Sequence, residues 1–287
     1  MDSAAGFVRG GVISAERATS RLNGHIELVF RASRDGTSLA HSHVTAPLKI
    51  VRPFALDGGR ALVQILTLGP GLCGGDTCAL NVVVEAGARA VVIMQTASRI
   101  LGMSDGAVAT QSVNLVVGHG AQLEYYPGLT IPFADSCLKQ RVTVSADRNS
   151  RVGVLETWAM GRTTRDEYLR FRHLSSRTIV SIGDRPVFAD ALEIEPARMN
   201  AAATGILENN RYVASGFWYG VPADAALAPV RSQGLIAFDR CATSREQVFL
   251  RALAHDGYDI ANTAQSAVDT INAAWGLAPI PLRRFVS

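Results

Sequence analysis

Val82–Ile93 reads VVVEAGARAVVI, Leu115–Tyr126 reads LVVGHGAQLEYY, and Val142–Glu156 reads VTVSADRNSRVGVLE. Each is an apolar or β-branched run, a small turn of Gly, Ala, Asp or Asn, and a second such run. The three starts lie roughly 30 residues apart, an interval at which stacked coils come into consideration. Consecutive hairpins would give a similar pattern. The spacing therefore predicts a mainly β protein of layered, β-helix-like stacked strands, with plain hairpins as the competing arrangement.

The same signal extends outward. His25–Ala32 places Ile26, Leu28 and Phe30 on one face, and Val91–Met94, Val113–Val117, Leu123–Tyr126 and Val152–Leu155 are further strand-like runs. Residues 1–20 read as a flexible lead-in, and 21–287 as a single domain with a β body to about residue 195 and a mixed α/β part from 196. Helical signals come late. Ser244 with Gln247 forms a capping box ahead of Val248, Leu250, Leu253 and Ala254, and Thr263 precedes Ala264, Val268, Ile271 and Trp275 before Gly276 and Pro279. A few helices packed on the β body toward the C-terminus are expected.

Composition narrows the function classes. A net charge of +3 with dispersed arginines is too weak a field to mark a nucleic-acid surface. Asp2, Arg9, Glu16 and Arg17 interrupt the N-terminus where a secretory leader needs an apolar core, and no run approaches membrane-span length. A cytoplasmic protein without a membrane partner is expected. Charged residues make up only 18% of the chain, with Lys49 and Lys139 the only lysines. That composition fits either a genomic bias or apolar surface reserved for a protein partner. Cys73, Cys78, Cys137 and Cys241 lack zinc-site spacing and are too few for a disulfide scaffold.

The glycine loop Gly69–Asp76, GPGLCGGD, joins two apolar runs, Ala61–Leu68 and Ala79–Val84. It lacks both the Gly-Lys-Ser/Thr ending of a phosphate loop and the glycine offsets of a dinucleotide loop. Its plain reading is a tight turn capped by Asp76. Cys73 and Cys78 bracket Asp76, and His41 and His43 share one side of a strand, so these four are candidates for weak metal contacts; surface histidines and buried thiols are the plainer reading. Asp76, Glu124 and Glu156 sit among apolar neighbours, where a carboxylate must be paired, with Arg99, Arg162 or Arg177 as candidates, or must line a wet passage. No nucleophile elbow or His-Glu-x-x-His motif is present.

An ordered series of motifs from about Leu22 to Phe285 resembles the urease accessory protein family UreD, called UreH in some organisms. It runs through PLKIVRPF (Pro47–Phe54), GLCGGD (Gly71–Asp76, with Gly74 and Gly75) and MQTASR (Met94–Arg99, with Gln95 and Arg99). LEYYP (Leu123–Pro127) with Ile131 and Phe133 follows, then MGR (Met160–Arg162) with Glu167, Leu174 and Arg177, and last the tail WGLAPIPLRRF (Trp275–Phe285). The chain departs from the family at Leu101-Gly102, at Gly128 and at Pro70-Gly71-Leu72-Cys73. The resemblance implies a non-catalytic chaperone that binds UreF, through it the GTPase UreG, and apo-urease. It further implies that nickel, held transiently and not as a resident cofactor, passes through an internal tunnel toward the urease site. Asp76, Glu124 and Glu156 are the path candidates, because a conduit favours dispersed oxygen ligands over closed thiolate sets. The competing readings are a UreD-like paralogue that serves another metalloenzyme and a β-solenoid carbohydrate-active enzyme with paired carboxylates.

Overall fold

The computed structural model describes residues 21–282, so the lead-in 1–20 and the end of the tail, Phe285 included, lie outside it. The strands are β1 (Asn23–Ser33), β2 (Gly36–Val44), β3 (Leu48–Ile50), β4 (Phe54–Leu56), β5 (Arg60–Thr67), β6 (Thr77–Val84), β7 (Arg89–Met94), β8 (Ser98–Ile100) and β9 (Ala109–Val117). They continue with β10 (Gln122–Pro132), β11 (Cys137–Ala146), β12 (Arg151–Ala159), β13 (His173–Ile182), β14 (Arg185–Ile194), β15 (Tyr212–Tyr219), β16 (Leu235–Cys241) and β17 (Ser244–Ala254), ahead of helix α1 (Gly257–Ala274).

Two sheets face each other. Sheet A runs β14-β13-β11-β9-β6-β1-β2, and sheet B runs β16-β17-β15-β12-β10-β7-β5-β3, with β4 on β5 and β8 on β10. From β6 to β13 the chain alternates between them, β8 apart, so β6, β9, β11 and β13 lie parallel in sheet A while β7, β10 and β12 lie parallel in sheet B. The three repeated stretches are therefore the bends between sheets. Stacked coils, not hairpins, produce the repeat.

The bends stack as well. Each closes with the same i to i+3 backbone bond, Ala88 N to Glu85 O, Ala121 N to Gly118 O and Ser150 N to Asp147 O, and the second and third are each tied to the bend before by Gly118 N to Val84 O and Asp147 N to Val117 O. At Gly118 the absence of a side chain lets one turn sit directly on the one before. A Cβ on Gly118 would stand 3.0 Å from Ala86 N.

Alternation fills the space between the sheets. Ile26, Leu28 and Phe30 of β1, Leu80, Val82 and Val84 of β6, and Val113, Leu115 and Val117 of β9 meet Ala90, Val92, Leu123 and Val154 of sheet B. The other face of sheet B carries a second core of Leu62, Val91, Tyr126, Leu155 and Trp218 beneath α1, which offers Ile260, Ala264, Ala267, Val268 and Ile271 at helical spacing. Sheet B is thus buried on both faces and reads as near-continuous apolar runs, whereas sheet A alternates.

Two local expectations need correction. Ser244–Ala254 is strand β17, paired with β15 and β16, because Val248, Leu250, Ala252 and Ala254 all face the second core with a period of two. The Ser-x-x-Gln pattern is local and loses to that pairing. The helix itself begins at Gly257, before Thr263, with Asp256 accepting from Asp259 N as its N-cap.

Gly161 shows where backbone freedom is indispensable. Its φ is 116°, and a Cβ there would lie 1.9 Å from Glu167 O. Gly161→Ala should destabilise the fold by about 3 kcal/mol or more, read as a fall of roughly 6–12 °C in a calorimetric midpoint.

Candidate functional site

Strand parity decides where each carboxylate goes. Glu124 shares the α1-facing side of sheet B with its register neighbours Val91 and Gly153, whereas Glu156 shares the inter-sheet side with Val154 and Trp158. Sheet B itself stands between the two. Asp76 lies at the start of β6, 3% exposed, with Oδ1 accepting from Leu22 N at 2.9 Å and Oδ2 from Cys73 N at 2.8 Å. It caps the glycine turn and also anchors the approach to β1.

Glu124 is fully enclosed and fully engaged. Its Oε1 accepts from Arg60 Nη1 at 3.1 Å and Gln122 Nε2 at 3.0 Å, and its Oε2 from Tyr126 Oη at 3.1 Å and Asn272 Nδ2 at 3.2 Å. Arg60 also donates to Asn272 Oδ1 at 2.7 Å and to Ala278 O at 2.8 Å, so the ion pair fastens α1 and the segment after it onto sheet B. Burial pushes the Glu124 carboxyl above its ordinary range, against the opposing pull of Arg60 and the other donors. The partner of Glu124 is Arg60 rather than Arg99, Arg162 or Arg177.

Among the described residues no cation contacts Glu156. Gln140 Nε2 donates to its Oε1, and Thr178 Oγ1 donates to its Oε2 at 2.6 Å. Burial pushes its pKa up to about 7, helped by the nearby Asp190 and opposed by the Thr178 and Gln140 hydrogen bonds. A carboxyl held near neutrality can exchange a proton for a cation at cellular pH.

A polar seam runs through Glu156 across the apolar sandwich. On the inner face of sheet A, Cys78, Gln111, Gln140 and Ser176 are successive register neighbours on β6, β9, β11 and β13. On sheet B the row Glu156, Ser215, Arg251 crosses β12, β15 and β17. Beyond Thr178, its neighbour Asp190 on β14 accepts from Ser215 Oγ at 2.5 Å and from Arg251. A cavity of about 170 Å³ lies beside the glycine loop, bordered by Gly71, Cys78, Arg99 and Gln111. One of about 270 Å³ at the other end is bordered by Asp190, Ser215, Cys241 and Arg251. The Gln111 Oε1 beside the first cavity is buried and has no hydrogen-bond partner among the described residues.

The remaining residues singled out from sequence fall elsewhere. Arg162 and Glu167 pair with each other through two hydrogen bonds, with Arg162 lying 4.3 Å above the Phe133 ring. Arg177 is exposed on the outer face of sheet A. Gln95 keeps a buried Oε1 without a partner among the described residues. Gly74 and Gly75 complete the glycine turn, where a Cβ on Gly74 would stand 2.6 Å from Ala107 Cβ and Gly75 has a φ of 86°. Cys73 is exposed while Cys78 is buried, with its thiol pushed up to about 11 chiefly by burial, so the pair is not a ready thiolate site. His41 and His43 are exposed on β2, and among the described residues no three His, Cys, Asp or Glu side chains already stand close enough to hold an ion.

Sequence reading missed Arg60, Gln111, Gln140, Asp190, Ser215 and Arg251. The available signal was a polar residue at an inward position of an alternating strand, as Gln140 is in LKQRVTV.

Comparison with known proteins covers the whole of this framework. The chain is 33% identical over 284 residues to the urease accessory protein UreD of Deinococcus radiodurans, covering 96% of this chain and 99% of that protein. It is 37% identical over 193 residues to UreD 1 of a Synechococcus strain, covering 67% and 72%, and 26% identical over 156 residues to UreH of Helicobacter pylori, covering 54% and 58%. The sequence profile of the UreD urease accessory protein matches residues 22–286, from the strand that Asp76 anchors to beyond the segment that Arg60 holds, and the chain belongs to that family.

Proposed function

We propose that the chain is a non-catalytic accessory protein of urease maturation that works in the cytoplasm, bridges apo-urease to UreF and through it to UreG, and conducts nickel toward the urease site. The observation that carries this reading is the seam through Glu156. Two stacked sheets otherwise packed with apolar side chains enclose a row of register-neighbouring amide, hydroxyl and carboxyl groups that reaches from one cavity to another. Burying such groups is costly, and an unpartnered Gln111 oxygen adds to the cost, so the row implies a use. Oxygen donors spaced along a passage bind a divalent cation weakly enough to release it.

Within this reading Glu156 is the principal carboxylate of the path, and Asp76 shapes the loop beside one cavity. Glu124 lies on the other face of sheet B, and its oxygens already serve Arg60, Gln122, Tyr126 and Asn272. Glu124 and Glu156 therefore cannot flank one glycosidic bond, which weighs against the paired-carboxylate enzyme.

The deciding experiment co-expresses the chain with UreF, UreG and the matching apo-urease, and measures co-purification and nickel-dependent urease activity with and without the chain. Activation that requires the chain, together with at least a tenfold loss for a folded Glu156→Ala variant, is expected. Full activation by that variant would remove Glu156 from the path, and a complex without activation would favour a paralogue that serves another metalloenzyme.

A further inference from the structure

We infer that His25, Glu27 and His43, which do not stand close enough to hold an ion as they are, close into a surface site for a divalent first-row transition metal when His43 swings inward, separate from the seam. His25 and Glu27 are two residues apart on β1 and so point to the same outer side of sheet A, opposite Ile26 and Leu28 in the core. His43 stands directly across from Glu27 on the antiparallel neighbour β2, on that same side. Two residues at i and i+2 with a third facing them across an antiparallel pair bring three side chains over one patch of sheet. Their chemistry is two imidazoles and one carboxylate, a facial set suited to Ni²⁺, Zn²⁺ or Cu²⁺ rather than to Mg²⁺ or Ca²⁺.

The distances are close to those an ion needs. His25 Nε2 and Glu27 Oε1 are 2.9 Å apart, and two ligands about 2.1 Å from one ion and at right angles to each other are about 3 Å apart. The His25 and His43 rings have centroids 6.1 Å apart, where two imidazoles on one ion stand about 5 Å apart. His43 is the member that must swing inward, by about 1 Å. It is exposed on an edge strand, where a change of side-chain rotamer meets little resistance. Ion binding replaces the His25 to Glu27 hydrogen bond with two metal bonds and leaves the backbone ladder untouched. His41 lies one step farther along β2, opposite Val29, and is not a member.

The site stands independently of the proposed conduit, because it sits on the outer face of sheet A while Glu156 lies inside the sandwich. The test is isothermal titration of the tag-free, full-length protein with NiCl₂, alongside His25→Ala, His43→Ala, His41→Ala and Glu156→Gln, with a thermal melt of each to confirm folding. One ion per chain is expected at this site, with a tenfold or greater loss of affinity in His25→Ala and in His43→Ala, and less than a threefold change in His41→Ala. No Ni²⁺ uptake by the unsubstituted protein, or uptake unaffected by the His25 and His43 changes, overturns the site. Uptake lost only in Glu156→Gln would overturn it while leaving the conduit intact.

Discussion

Arg60→Met should cost the folded protein about 3–5 kcal/mol, the usual consequence of removing one partner from a buried ion pair. Arg60 is 2% exposed and Glu124 0%, so neither charge has recourse to water. With the guanidinium gone, the Glu124 carboxylate keeps hydrogen bonds from Gln122, Tyr126 and Asn272 but no cation, and Asn272 Oδ1 and Ala278 O lose their donor. The measurement is urea unfolding followed by tryptophan fluorescence, since Trp218 donates to Tyr126 Oη within this cluster. Glu124→Gln added to Arg60→Met should recover part of the loss, because it removes the stranded charge. A cost below 1 kcal/mol for the single change would mean that Glu124 already carries a proton and that the contact is no ion pair.

Glu156→Gln should act in the opposite direction on stability. The folded-state pKa of about 7 lies above the ordinary 4.5, so between those values the folded chain holds a proton that the unfolded chain has shed. Stability contributed by that proton is intact below pH 4.5 and is lost as pH rises to 7, a total of about 3 kcal/mol at 1.36 kcal/mol per pKa unit. The glutamine variant has no such loss. It should match the parent near pH 4.5 and exceed it by about that amount at pH 8, read from urea midpoints across the range. An equal pH slope in both proteins would show that Glu156 ionises without penalty. A protein that is more stable yet less able to activate urease would separate the cost of the buried carboxyl from its use.

Much of the architecture was legible because coil stacking leaves a periodic trace. The bends at Glu85–Ala88, Gly118–Ala121 and Asp147–Ser150 repeat one hydrogen-bonding solution, and repetition of a solution is repetition of sequence. Sheet A could be read from alternation such as that of Ile26, Leu28 and Phe30. Ser244–Ala254 misled for a definite reason. A strand buried beneath a helix carries apolar residues that match a helical stripe nearly as well as a period of two, and a four-residue capping pattern cannot arbitrate. The three buried carboxylates were found by their apolar neighbours, but which face of sheet B each occupies depends on β10, whose pairing with β12 shifts register between Tyr125 and Gly128. Arg60 was invisible because its partners lie far along the chain.

That last separation bears on how the protein is made. Arg60 leaves the ribosome 212 residues before Asn272, an interval of about 10–40 s at ordinary rates of synthesis. Throughout it, the face of sheet B that α1 will cover is bare and the Glu124 charge has only part of its eventual cage. The nascent chain thus exposes an apolar sheet face until its final helix emerges, a window in which it is prone to aggregate.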